Sequence, residues 1–190
     1  MANESSIGYG LRPIGKVGQN NDKQGLSEYA ISASTSSAIY QNDPVKATVN
    51  GTIDVAAASD QLVGSLNGVF YTDSSNQKPT WANHLAASNA ATDIVGFVSD
   101  DPYERFEIRS AGTATQASVF LVGDISYVAG VSPNFVSRVK LSSTLTSGAS
   151  AQLRVVGISK DPKNNDTAAV NPSVVCVINE HLYLDSGNGI

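Results

Sequence analysis

The sequence predicts an all-β protein, with a single β-sandwich or barrel-like domain of about ten short strands behind an extended N-terminal arm. Three observations predict this fold. Charged residues make up only 15% of the 190 residues, which is too few to cover the faces of a helical bundle or a coiled coil. Short runs of β-branched and aromatic residues recur about every 8–12 residues between turn residues. Only residues 82–91 have a composition that favours a helix, and Asn and Ser interrupt it.

Residues 1–28 differ from the rest of the chain and predict an arm ahead of a β-rich body at residues 29–190. Four glycines and a proline within residues 8–18 exclude a stable helix there. Apolar residues alternate at positions 7, 9 and 11, which is typical of a short strand that pairs with an exposed sheet edge. We expect the arm to be mobile in the free protein and ordered on a partner; a frayed terminus without a function is the other interpretation. The candidate partner-binding residues are apolar and basic side chains of the arm: Ile7, Tyr9, Leu11, Arg12, Ile14, Lys16 and Val17.

The body begins with a predicted hairpin and a long strand. Residues 45–49 and 52–55 are expected to pair across Asn50-Gly51, a dipeptide that accepts the positive φ angles of a type I′ turn. The long strand at 61–72 contains Asn67-Gly68, which predicts a bulge within it.

The later strands follow the same pattern. Strands at 94–98 and 105–108 flank an Asp-Pro turn at residues 99–103. Further strands are expected at residues 119–122, 125–128, 135–141, 152–159 and 174–184. The candidate core residues are Phe97, Phe106, Ile108, Val155 and Val177.

Composition and charge argue against several functional classes. Twelve basic and seventeen acidic residues give a net charge of -5 at pH 7, so contact with nucleic acid or an anionic membrane is not expected. The single Cys176 excludes an intrachain disulfide framework, and its apolar neighbours predict a buried side chain. No run approaches the ~18 apolar residues of a membrane span, and the first residues lack the features of a secretory signal. We therefore expect a protein that is made in a reducing cytoplasm.

The sequence shows no constellation of catalytic residues. His84 and His181 have no second His or Cys at ligand spacing, and structural roles are expected for both. Asp100-Asp101 is a carboxylate pair suited to a cation, but Asp before Pro is ordinary turn chemistry. Trp81, in a predicted polar loop, either anchors a partner or caps one end of the barrel. We expect no enzymatic activity, no metal and no cofactor, and take Trp81, Asp100 and Asp101 as a candidate contact loop.

Three blocks of sequence occur in the order and spacing of one viral family. The first is SSAIYQNDPV at residues 36–45. The second is LNGVFYTDS at 66–74 with PTW at 79–81, and the third is VGFVSDDP at 95–102 with FEI at 106–108. Together these blocks resemble the head decoration proteins of tailed bacteriophages over roughly residues 30–110.

The resemblance implies a β-rich virion protein that binds the outer surface of an assembled capsid. It implies that the partner is the major capsid protein and that neighbouring capsomers are clamped, or cemented, together. It also implies a homotrimer, because a symmetric oligomer presents identical contacts to each surrounding subunit. Such a protein is made in the host cytoplasm and resides on the outer capsid surface of the virion.

Two other functions fit the same observations. One is a carbohydrate-binding or host-attachment β module, in which Trp81 stacks on a sugar. The other is a different part of the virion, such as a tail-tube or fibre-base subunit. The missing constellation of catalytic residues argues against a hydrolase of unfamiliar type.

Overall fold

The all-β prediction is confirmed by the computed structural model, which describes residues 3, 8–18, 25–33, 35–148 and 150–184. Within these ranges the chain forms thirteen strands, no α-helix, and one 3-10 turn at Gln116–Ser118. Residues 82–91 do not form a helix. The strands are β1 (Arg12–Lys16), β2 (Ser27–Ala30), β3 (Pro44–Ala47), β4 (Ile53–Val55), β5 (Gly64–Thr72), β6 (Pro79–Ala82), β7 (Val95–Ser99), β8 (Glu104–Ser110), β9 (Val122–Gly123), β10 (Ile125–Ser126), β11 (Lys140–Leu141), β12 (Leu153–Ile158) and β13 (Ser173–Ile178).

Seven strands form a nearly closed, barrel-like sheet. Its strand order is β10-β11-β8-β13-β12-β9, with β1 also paired to β8. The two strands at the ends of this order, β9 and β10, are separated in the chain by Asp124 alone. The sheet therefore curls round until its ends almost meet. Its interior holds a core in which Leu11, Phe106 and Leu153 are fully buried.

The other six strands form a second, antiparallel sheet. Its strand order is β2-β7-β5-β3-β4, with β6 also paired to β5. A separate core, which includes Val45, Leu66 and Val98, covers its inner face. Buried polar side chains join the two sheets. Gln152, just before β12, accepts a hydrogen bond from Ile125 N at 2.9 Å and donates to the carbonyl oxygens of Ala57 and Asp60, beyond β4, at 2.8 and 2.7 Å.

The predicted local features of the second sheet are present, with one difference in turn type. Strands β3 and β4 form the expected hairpin. Gly51 has a φ of 72°, but Asn50 does not have a positive φ, so the turn is not type I′. Thr48 N donates to Thr52 O at 2.8 Å, which fits a longer loop with glycine at the left-handed position. The bulge predicted at Asn67-Gly68 is confirmed by the register shift between β5 and β7.

Three of the five candidate core residues are confirmed. Phe106, Ile108 and Val155 are fully buried in the barrel, and the predicted burial of Cys176 is also confirmed. The predictions for Phe97 and Val177 are wrong, because both side chains are only half-buried. The residues that flank Phe97 in β7, Gly96 and Val98, face the core in its place.

Candidate partner-binding surfaces

Residues 8–18, the longest described part of the arm, lie on the chain's own barrel. Leu11 is fully buried in the barrel core. Its backbone N donates to Asn42 O at 2.9 Å, and its carbonyl oxygen accepts from Ser65 Oγ at 2.6 Å. The expectation of an arm that needs a partner's sheet edge is therefore replaced, for these residues, by pairing within the chain. Ile7 and residues 19–24 lie outside the described residues.

Gly10 explains part of the glycine content of the arm. Its φ is 64°, and a Cβ at this position would lie 2.4 Å from both Asn42 O and Ser137 Cβ. A larger residue would therefore collide with the body. Glycine at position 10 therefore permits close docking of the arm, in addition to disfavouring a helix there.

Strand β1 covers the edge of β8. The two strands are antiparallel, with Arg12 opposite Glu107 and Lys16 opposite Glu104, and a register irregularity lies between Pro13 and Gly15. Proline and a bulge both make a strand a poor template for further pairing. The outer edge of β1 is thus protected from edge-to-edge association. Arg12 and Glu107 form an ion pair across this pairing, so the charge of Arg12 is used within the chain.

Tyr9 is also enclosed by the body. Its hydroxyl lies 2.6 Å from Ser173 Oγ, and the guanidinium carbons of Arg12 and Arg109 lie 4.7 and 5.5 Å from the centre of its ring. Burial raises the pKa of Tyr9 to about 12. The side chains of Tyr9 and Leu11 therefore fill the chain's own interior and are not presented to a partner.

The exposed side chains of β1 adjoin the turn between β7 and β8. Val17 N donates to Tyr103 O at 2.8 Å, and Lys16 Nζ lies 2.6 Å from Asp101 Oδ2. The hydrogen bond from Lys16 lowers the pKa of Asp101. Three large side chains are exposed here and are called the arm surface: Ile14, Val17 and Tyr103. The structure thus brings together candidate residues from the arm and from the predicted contact loop.

Asp100 fastens β2 to the same turn. Its carboxylate accepts hydrogen bonds from Ser27 Oγ at 2.9 Å and from Tyr29 Oη at 2.6 Å. The Tyr29 hydroxyl is also hydrogen-bonded to the Tyr183 hydroxyl. The oxygen atoms of Asp100 are therefore engaged by the chain's own donors. In the ranges that the structure covers, no group of three or more His, Cys, Asp or Glu side chains is placed to hold a metal ion.

Trp81 lies on strand β6, so the prediction of a loop at this position is wrong. Its ring contacts Phe70 on β5, with ring centres 4.9 Å apart, and stacks on Phe97 of β7 at 5.0 Å. Strand β5 lies between β6 and β7, and Gly68, opposite Phe97, has no side chain to separate the rings. The Trp81 side chain remains 69% exposed. Phe70, Trp81 and Phe97 are called the aromatic patch; sequence spacing could not reveal it, because strand register brings the three rings together.

Both histidines are held by packing. His84 stacks on Phe135, with ring centres 3.9 Å apart, and lies parallel to Tyr40 at 6.3 Å. His181 is fully buried, and its Nδ1 accepts a hydrogen bond from Tyr183 N at 3.1 Å. Burial lowers the pKa of each imidazole. Each therefore favours its neutral form.

Comparisons with family models, with curated proteins and with solved structures found no match. Among the described residues, no helix has the length and apolar character required to cross a membrane. The candidate surfaces are thus defined by the structure itself: the arm surface on the barrel side and the aromatic patch on the second sheet.

Proposed function

We propose that this protein binds the outer surface of an assembled phage capsid and strengthens the contacts between capsomers. The observation that carries the proposal is the resemblance of residues 30–110 to phage head decoration proteins. The resembling blocks fall on β3, β5, β6 and β7 of the second sheet, and the last block continues through a turn into β8 of the barrel-like sheet. Most of the blocks thus lie on neighbouring strands of one sheet, and this adjacency supports the proposal.

The arm surface is the proposed contact with the major capsid protein. The side chains of Val17 and Tyr103 are 50% and 60% exposed. A backbone hydrogen bond between the two residues holds them next to each other. The ion pair between Lys16 and Asp101 holds the strand and the turn together beneath them. A rigid pair of exposed apolar side chains loses little conformational entropy on binding, which favours affinity.

The proposed mechanism is additive clamping. A protein that binds neighbouring capsomers in the assembled lattice, but not the separate subunits, stabilises the lattice by mass action. Contacts of about micromolar affinity are sufficient, because several contacts from one oligomer reinforce each other through effective concentration. A homotrimer on the outer capsid surface of the virion, assembled from chains made in the host cytoplasm, is part of this proposal. A binding role without catalysis also agrees with the packing of both histidines.

The test is binding to empty, expanded capsids of the same phage, measured by co-sedimentation together with the capsid melting temperature. The parent protein is expected to bind and to raise the melting temperature. Val17→Asp places a charge on the arm surface and should weaken binding at least tenfold, about 1.4 kcal/mol. Val49→Asp is the matched control, because Val49 is 83% exposed at the tip of the β3–β4 hairpin. Failure of the parent to bind would refute the function, whereas equal binding by the two variants would refute only the assignment of the surface.

The aromatic patch favours a second candidate function, carbohydrate binding. An exposed indole supported by two phenyl rings offers a flat apolar face, which suits stacking on a sugar ring. A glycan array with the parent and Trp81→Ala distinguishes this function from capsid binding. Glycan binding that disappears in the variant, without any capsid binding by the parent, would favour the second candidate. A tail-tube or fibre-base role would instead be recognised by the position of the protein on the particle.

A further inference from the structure

Arg109 is buried beneath residues 8–9 with most of its hydrogen-bonding capacity unused. Its side chain is 3% exposed. Nη2 donates to Asn164 Oδ1 at 3.2 Å, whereas Nε and Nη1 meet no acceptor among the described residues. Nε carries one N–H group and Nη1 carries two, so three of the five guanidinium donors have no acceptor in the part of the chain that the structure describes. A buried guanidinium in this state is strongly unfavourable without a counter-charge.

One further cation lies beside Arg109, and another lies near that one. Lys140 on β11 is the register neighbour of Arg109 across the parallel pairing with β8. Burial lowers the pKa of Lys140, and the charges of Arg109 and Arg138 lower it further. None of the ion pairs between described residues includes any of these three side chains. Like charges directly opposite each other on paired strands are destabilising, and a bound anion would reduce this repulsion.

The nearby carboxylates are already engaged elsewhere. Glu107, two residues before Arg109 on β8, accepts hydrogen bonds from Arg12 and from Ser159. Asp161 accepts from Asn164 Nδ2 at 3.0 Å and from Lys163 N at 3.1 Å. Among the described residues, neither carboxylate forms an ion pair with Arg109.

Polar and aromatic groups from neighbouring segments surround Arg109. The Tyr9 ring lies over the guanidinium, held by its contact with Ser173. Asn171 Oδ1 accepts from Lys140 Nζ at 2.8 Å. The backbone of Gly8 packs so closely on Arg138 that a Cβ would lie 2.7 Å from its Cα.

We propose that a small oxyanion with two negative charges binds between Arg109 and Lys140 as a buried counter-ion, and inorganic phosphate is the ion to test. A dianion balances the two positive charges of Arg109 and Lys140, whereas a monocarboxylate balances only one. The unused N–H groups of Arg109 and the ammonium group of Lys140 supply charge-assisted hydrogen bonds to its oxygens. This site is independent of the proposed capsid function.

The test uses the full chain and measures its melting temperature in phosphate, sulfate, acetate and chloride at constant ionic strength. At a phosphate concentration about 100-fold above the dissociation constant, the melting temperature should rise by about 5–10 °C relative to chloride. Sulfate should act similarly and acetate much less. Phosphate and sulfate also stabilise proteins without a specific site, so variants of the site are required.

Arg109→Gln and Lys140→Gln remove one charge each from the site, and Arg105→Gln is the matched control. Arg105 lies on the same strand and on the same face as Arg109, but its side chain is exposed. Lys140 is only half-buried, and glutamine keeps a donor for Asn171, so this variant should fold even if Arg109→Gln does not. At least half of the phosphate-dependent rise should be lost in Lys140→Gln and none in Arg105→Gln. An equal rise in the parent and Lys140→Gln, or no rise in the parent, would overturn the proposal.

Discussion

Leu11 is the position at which a docked arm and a free arm give opposite predictions. The side chain is fully buried among Phe106, Leu62 and other residues of the barrel core. Truncating a buried leucine to alanine removes its apolar contacts and leaves a cavity, which costs about 2–5 kcal/mol. For a chain of this length, that loss lowers the melting temperature by roughly 4–20 °C. A free arm would make the same substitution nearly neutral.

The measurement is urea unfolding of the parent, Leu11→Ala and Ile14→Ala, followed by circular dichroism. Ile14 is three residues away on β1 but is 43% exposed, so its truncation should cost about 1 kcal/mol or less. Leu11→Ala should shift the unfolding midpoint clearly further than Ile14→Ala, without a change in slope. Equal midpoints for the two variants would refute the docking of residues 8–18 on the barrel.

Three further predictions concern the body. Phe106→Ala should destabilise the protein by about 3–5 kcal/mol in the same urea assay, because Phe106 is fully buried at the centre of the barrel sheet; a variant as stable as the parent would contradict this placement. Burial raises the pKa of Asp43 from 3.8 to about 6, so the folded protein holds this proton more tightly than the unfolded chain does. The resulting stabilisation is present below about pH 4 and is lost as the pH rises through 6, by up to about 3 kcal/mol. Between pH 4.5 and pH 7.5 the free energy of unfolding of the parent should therefore fall relative to that of Asp43→Asn. A difference between the two proteins that does not change with pH would refute the raised pKa of Asp43. Burial also raises the pKa of the Cys176 thiol, so iodoacetamide should modify it only after unfolding in urea, and rapid modification of the native protein would contradict its burial.

The sequence predicted the features of the fold that depend on local chemistry. The spacing of turn residues indicated an all-β chain, and Asn50-Gly51 and Asn67-Gly68 marked a hairpin and a bulge that the structure contains. Strands β9, β10 and β11 were less predictable, because each has two residues and too little periodicity to define its ends. Their positions depend on closure of the barrel, which is a non-local property.

The same limit explains what sequence reasoning missed at the candidate sites. The alternation of apolar residues in the arm predicted a strand, but it did not identify the strand with which the arm pairs. That strand, β8, lies about ninety residues further along the chain. Alternation in β7 did not tell which side of the sheet Phe97 faces, so a residue of the aromatic patch was assigned to the core. Glu107 and Arg109 alternate with Phe106 and Ile108 in a way that is typical of an exposed strand face. Their burial depends on Tyr9 and on the loop around Asn164, which no local pattern connects to β8.

The most direct test of the central claim is a cryo-electron microscopy reconstruction of empty, expanded capsids of the same phage after incubation with the purified protein. We expect density for this fold on the outer surface, at the seams between capsomers, with Val17 and Tyr103 facing the major capsid protein. We also expect Val17→Asp to leave those positions largely empty under the same conditions. If the capsids showed no added density at a saturating concentration of the protein, or if the density were confined to the tail, the proposed binding to the outer capsid surface would be contradicted.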